Sequence, residues 1–181
     1  MKEESKKIEL IPEFSLSDSN REAISQLLIA SFPAYPKDRI FYPQPPHFRL
    51  LHWYNQQLTG HLAGIIRAIR VGGQSLSIYG LADLCTDQDW SGTRIANSLI
   101  GQVELLAQKN AIPFLMTMAS SPEFYEKAGF QLIDTRCKWL AFMDGNSLGL
   151  FQRNPPSGLM VKSTSTFTWP SGEVDLMGPL F

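Results

Sequence analysis

Residues 81–100 read LADLCTDQDWSGTRIANSLI: an apolar run, a polar turn, then the start of a helix. A helix N-terminus presents unpaired N–H groups and about half a positive charge, so it favours an anion such as a phosphate. Phosphate-cradling turns usually hold several glycines, and this one holds Gly92 alone. Arg94 falls in the first turn of the helix. A cation there opposes the helix dipole by about 0.3–1 kcal/mol unless an anion sits in front of it. By itself the turn reads either as an ordinary helix start with a surface arginine or as a phosphate site.

Downstream, Ile95, Leu99, Val103 and Leu106 recur at helical spacing while Gln102, Gln108 and Lys109 lie off that row, which predicts a helix over 93–109. The apolar run 112–119 predicts a strand buried on both faces. Ser121-Pro122 starts a short helix, and Gly129 supplies its left-handed stop. In that helix Phe124 and Tyr125 are adjacent and point in different directions, so one can pack inward while the other faces a cleft. A strand from Phe130, a polar linker at 154–158 and a last strand from Leu159 follow.

Upstream, strands are expected at 49–54, 61–71 and 76–86, with Gly72-Gly73 as the hairpin turn between the last two. Ser19 to Glu22 has the Ser-x-x-Glu form of a capping box, opening a helix to about Ser31 that Pro33 ends. Residues 33–46 hold five of the chain's 12 prolines, with Tyr35, Phe41 and Tyr42 among them. Such a stiff, aromatic loop is a surface connector or a wall of a substrate cleft.

The chain has 181 residues, 44% hydrophobic and 18% charged, enough for one globular domain with a sizeable core. Its net charge of −1 gives no basic excess of the kind that draws nucleic acid or an anionic membrane, so neither is expected as a partner. Cys85 and Cys137 lack CxxC spacing and do not pair with His47, His52 or His61 at ligand spacing, so neither a disulfide framework nor a metal is expected. The charged start and the lack of a long apolar run point to a cytoplasmic protein.

The strand-turn-helix LADLCTDQDWSGTRIANSLI and the later FYEKAGF, residues 124–130, resemble the GNAT superfamily of acyl-CoA-dependent N-acyltransferases in order and spacing. GHLAGIIRAIRVGG, residues 60–73, and the ending TWPSGEVDLMGPLF are similar to parts of nodulation N-acyltransferases and, more loosely, of aminoglycoside N-acetyltransferases. The resemblance implies a GNAT-like α/β (α+β) fold over 1–181 as a single domain, with a central mixed, mostly antiparallel sheet flanked by helices and splayed where the cofactor enters. It implies acetyl-CoA (acyl-CoA) as co-substrate. The backbone of Leu84, Cys85 and Thr86 would meet the pantetheine arm, and Ser91, Gly92, Thr93, Arg94, Ile95 and Ala96 would hold the pyrophosphate. Arg94 stands where the family's motif has glycine, so it either reaches the pyrophosphate or occupies its place.

Tyr125 would be the general acid for the departing thiolate. The attacking amine must lose a proton. Asp83 is the first candidate for its base, against a structural, hydrogen-bonded role; His61 is a second, and Cys85 as an acyl-accepting nucleophile a third possibility. The expected reaction is acetyl transfer to a primary amine, on a small molecule or peptide, in a ternary complex, by a monomer or homodimer. The alternatives are a longer acyl chain or an acyl carrier protein donor, and a degenerate acyl-CoA-binding module without turnover.

Overall fold

A computed structural model describes residues 6–90 and 94–181. The chain falls into two compact units, one of residues up to Ile65 with Ala82–Val103, the other of Ile66–Leu81 with Glu104–Phe181. Two strands and one helix contribute residues to both.

The first unit is built on strands β1 (Lys6–Pro12), β2 (Phe48–Tyr54) and the first part of β3 (Gln57–Val71), paired antiparallel in that order. Asn55 and Gln56, both at positive φ (45° and 69°), make the two-residue turn between β2 and β3. That geometry matches the twist of the strands it joins. Helix α1 (Asp18–Ser31) buries Ile24, Leu27 and Leu28, which lie three and four residues apart on one face. They pack with Leu16, Ile40, Leu51, Leu58 and Cys85 in this unit's core. The unit also holds the end of strand β4 (Gln74–Thr86), a 3-10 turn at Gln88–Trp90 and the start of helix α2 (Ile95–Lys109). Gly60 permits that helix start to lie close, since a Cβ on it would stand 2.4 Å from Ile95 Cγ2.

In the second unit the order is β6-β9-β5-β4-β3-β10-β7-β8. Here β5 is Phe114–Ala119, β6 Gln131–Ile133, β7 Cys137–Met143, β8 Asn146–Arg153, β9 Gly158–Ser163 and β10 Val174–Asp175. The β4–β5 and β10–β7 pairs are parallel and β5–β9, β6–β9 and β7–β8 antiparallel, so the sheet is mixed as expected. Strand β5 lies between β4 and β9, which is why its residues run apolar without alternation. Ile69, Ile78, Phe114, Met116, Trp139 and Val161 are among its core residues. Helix α3 is Pro122–Lys127.

Several expectations shift. The α1 cap is Ser17, whose side chain accepts from Asn20 N at 3.2 Å; Ser19 lies inside the helix and bonds the Ser17 hydroxyl at 2.9 Å. Strand β3 begins at Gln57 rather than residue 61, because the tight Asn55-Gln56 turn lets pairing start at once. The polar lead contains β1, an edge strand whose Lys and Glu residues conceal its pattern. The hairpin β7–β8 turns at Asp144-Gly145, both at positive φ (51° and 78°), an Asp-Gly signal that sequence reading passed over. Gly72 and Gly73, at φ 53° and 89°, form the expected β3–β4 turn.

Candidate functional site

Along β4, the ladder to β5 runs from Ile78↔Phe114 to Leu81↔Thr117. Two residues past Leu81, Asp83 takes φ 53°, inside a strand. Left-handed geometry costs a non-glycine residue roughly 1–2 kcal/mol, and Asp is among the few types that tolerate it. Leu84, Cys85 and Thr86 continue β4 in the first unit, half-buried except for Cys85, which is buried.

Around Asp83 the first unit gathers polar side chains. The Tyr35 hydroxyl donates to Asp83 Oδ2 at 2.7 Å. His61 Nδ1 lies 2.9 Å from the Asp83 carbonyl oxygen, and His61 Nε2 lies 3.0 Å from Arg49 Nη1. Arg49, fully buried, donates through Nε to Glu13 Oε2 at 2.6 Å and through Nη2 to the Ile40 carbonyl at 2.7 Å. Burial, and then the Tyr35 and Arg49 partners working against it, leave the Asp83 carboxyl above its usual range. Burial first and the Arg49 charge second hold the His61 imidazole down at about 3. Arg49 can only donate, so His61 accepts at Nε2 and carries its proton on Nδ1. A histidine with both nitrogens engaged is no free base, which removes His61 from that role. Burial pushes the Cys85 thiol up to about 12, so at neutral pH it is not a thiolate nucleophile.

Ser91, Gly92 and Thr93, expected to hold the pyrophosphate, lie outside the described residues. Arg94 is exposed and precedes α2 instead of sitting in its first turn; its carbonyl accepts from Ser98 N at 2.9 Å, the first bond of the helix. Ile95 is buried and Ala96 half-buried. The first unit also has a cavity of about 550 Å³ lined by α1, Trp53, the start of β3 and the residues after β4. Asp87 and Asp89 are the only charged side chains lining it among the described residues.

Tyr125 belongs to the second unit, on α3. Gly129 at φ 88° closes that helix: Phe130 N donates to Tyr125 O at 2.9 Å and Gly129 N to Glu126 O at 2.9 Å. This double closure brings the residue after glycine back onto the helix. The Phe130 and Phe124 rings pack edge-on to Tyr125, 5.4 and 5.1 Å between centroids. Adjacent on the chain, Phe124 and Tyr125 thus touch each other, with Phe124 the more exposed. Burial raises the phenol above its ordinary range and the Thr117 hydroxyl partly offsets that, so it stays protonated at neutral pH.

Sequence reading named Asp83 and His61, which meet in the first unit, and Tyr125 in the second. It missed Glu13 and Arg49. The one available signal was a charged residue inside the otherwise apolar FRLLHWY strand. Among the described residues no three of His, Cys, Asp and Glu gather as a metal site, and no helix is long and apolar enough to cross a membrane.

The family model for the acetyltransferase (GNAT) domain matches residues 15–133. No curated protein matches the sequence. Among solved structures, the chain is similar to YhbS of Escherichia coli, a GNAT family N-acetyltransferase in complex with CoA, at TM-score 0.63 and 19% identity over 96% of this chain and 89% of that one. It is similar to ElaA of Escherichia coli at TM-score 0.59 and 17% identity, over 87% and 99%. A GCN5-related N-acetyltransferase of Anabaena variabilis gives TM-score 0.61 and 19% identity over 73% of this chain and 34% of that one, so the chain spans about a third of that protein.

Proposed function

We propose that this chain, which belongs to the GNAT acetyltransferase family, transfers an acetyl group from acetyl-CoA to a primary amine by direct attack. The observation that carries this reading is the family match across residues 15–133, which takes in the left-handed Asp83 of β4, helix α2 and the FYEKAGF segment. The CoA bound to YhbS supports the choice of cofactor, and residues 1–181 are read as one catalytic domain.

In the proposed reaction the amine nitrogen attacks the thioester carbon. The ammonium first gives one proton to solvent; a C–N bond then forms and the C–S bond breaks, so a second proton must leave the nitrogen and one must reach the sulfur. Asp83 is proposed to take that second proton from the nitrogen. Its raised carboxyl is a better base at neutral pH than an ordinary one, and its Oδ2 is already oriented by Tyr35. Tyr125 is proposed to give the sulfur its proton, since burial keeps its phenol protonated. Leu84, Cys85 and Thr86 are proposed to run beside the pantetheine arm, and Ser91 to Ala96 to hold the pyrophosphate.

The acceptor is read as a small-molecule or peptide amine. Amines are cationic before reaction, and a cavity whose charged lining is Asp87 and Asp89 suits a cation. The enzyme is proposed to act in the cytoplasm as a monomer or homodimer, with both cysteines buried and unpaired. Cell fractionation and light scattering check those two points. A second reading, an acyl-CoA-binding module without turnover, is favoured by two departures from the family's motif, Ser91 where it has Arg or Gln and Arg94, at the N-cap of α2, where it has glycine.

The test is thermal stabilisation by acetyl-CoA, followed by thiol release with a panel of primary amines and with acetyl or long acyl donors. Acetyl transfer supports the proposal. Stabilisation without turnover moves the reading to the binding module, turnover restricted to long acyl donors moves it to a longer-chain acyltransferase, and the absence of both stabilisation and turnover overturns the cofactor assignment.

A further inference from the structure

We propose that Tyr35, His61 and Arg49 are positioning residues that hold Asp83 by two separate grips, one on its main chain and one on its carboxylate. The inference rests on the proposed role of Asp83 as the base. It starts from the buried guanidinium of Arg49, fully shielded from solvent. Glu13 takes its Nε, Ile40 its Nη2, and His61 Nε2 its Nη1 at 3.0 Å.

Because Arg49 has no lone pair to offer, the His61 tautomer is forced, and Nδ1–H is left to donate to the Asp83 carbonyl at 2.9 Å. That carbonyl belongs to the residue at φ 53°, so a side chain satisfies the main-chain oxygen of the residue that departs from regular strand geometry. Conformations of this kind persist when surrounding contacts over-determine them.

The second grip is on the carboxylate. Tyr35 N donates to Phe32 O at 2.8 Å and its ring packs on Phe32 at 6.0 Å, between Pro33 and Pro36. This stiff turn aims the hydroxyl at Asp83 Oδ2, 2.7 Å away. With Oδ2 engaged, Oδ1 is the oxygen that meets an ammonium. An apolar quartet could fill this volume without the desolvation cost of a buried ion pair. Among the described residues, the titratable groups that face Asp83 are Tyr35 from the loop after α1, Arg49 from β2, His61 from β3 and Cys85 from β4 itself, with Glu13 neutralising Arg49.

The experiment has two arms on the full chain. In the first, the Asp83 carboxylate is titrated by carbon NMR, its signal assigned by loss in Asp83→Asn. Tyr35→Phe removes a donor to the charged form, so the Asp83 midpoint is expected to move to higher pH; an unmoved midpoint overturns the Tyr35 grip. In the second, His61→Gln and His61→Leu are compared in acetyl-CoA thiol release with the best amine of the panel, after circular dichroism confirms that both fold. Glutamine keeps a donor and an acceptor, so it is expected to hold kcat within about threefold of wild type, while leucine loses about tenfold with acetyl-CoA affinity unchanged. Equal activity of the two folded variants overturns the His61 grip. Full turnover by Asp83→Asn would instead sink the base assignment, and the NMR arm would still decide whether Asp83 is gripped.

Discussion

Tyr125 gains its surroundings from residues close by in sequence. The glycine five-residue closure folds Phe130 back onto the ring, so FYEKAGF assembles its own aromatic clamp. Removing only the phenolic oxygen should leave that clamp intact: Tyr125→Phe is expected to lower kcat by about 100-fold, the low end for a general acid, with the acetyl-CoA dissociation constant changed less than twofold. Stopped-flow thiol release and calorimetric titration read the two quantities, and unchanged turnover would remove Tyr125 from the acid role. Arg49 is the opposite case, held by partners far away in sequence. Arg49→Met strands the Glu13 carboxylate and the Ile40 carbonyl, and is expected to cost about 3–5 kcal/mol in urea unfolding, as for other broken buried pairs. Adding Glu13→Leu should recover part of that loss; no recovery would show that the pair is not coupled.

At the level of elements, helix ends were the hardest boundaries to read. Two serines two residues apart, Ser17 and Ser19, both satisfy the composition rule for an N-cap, and the Glu22 partner favoured Ser19. The chain resolves this at Ser17, whose hydroxyl accepts from Asn20 N at 3.2 Å and whose carbonyl accepts from Arg21 N at 3.0 Å. Ser17→Ala is therefore expected to cost about 1 kcal/mol in thermal unfolding, and Ser19→Ala less than about 0.5 kcal/mol. The reverse order would restore the capping box. Strands β7 and β8 carried a legible Asp-Gly turn, whereas the two-residue β10 carries no periodic signal and exists because β3 and β7 flank it.

For the whole molecule, pH dependence of stability follows from His61. Its folded pKa of about 3 lies below the unfolded value near 6.5, so the unfolded chain binds the extra proton between those limits. Stability from this group is complete above about pH 6.5 and is lost as pH falls toward 3. His52, lowered mainly by burial, adds to the same slope. Asp83, raised by burial, opposes it, because the folded chain keeps that proton to higher pH. Urea midpoints from pH 4 to 7 should rise with pH in the wild type and rise less in His61→Gln. Parallel curves for the two proteins would mean that His61 is not held neutral on folding.

Sequence alone determined what nearest-neighbour chemistry controls: the Gly72-Gly73 turn, the amphipathic α2, the β5 strand, apolar but for Thr117, and the glycine stop after Tyr125. Periodicity and left-handed turns are local, so they survive in a one-dimensional reading. It also carried the order of segments that marks the family. Tertiary structure decided which polar residues meet. Glu13, Tyr35, Arg49, His61 and Asp83 come from five separate segments, and no spacing rule connects them. Only folding buries Arg49, and burial is what obliges each of its donors to find a partner, fixes the His61 tautomer and turns an unremarkable aspartate into a held one.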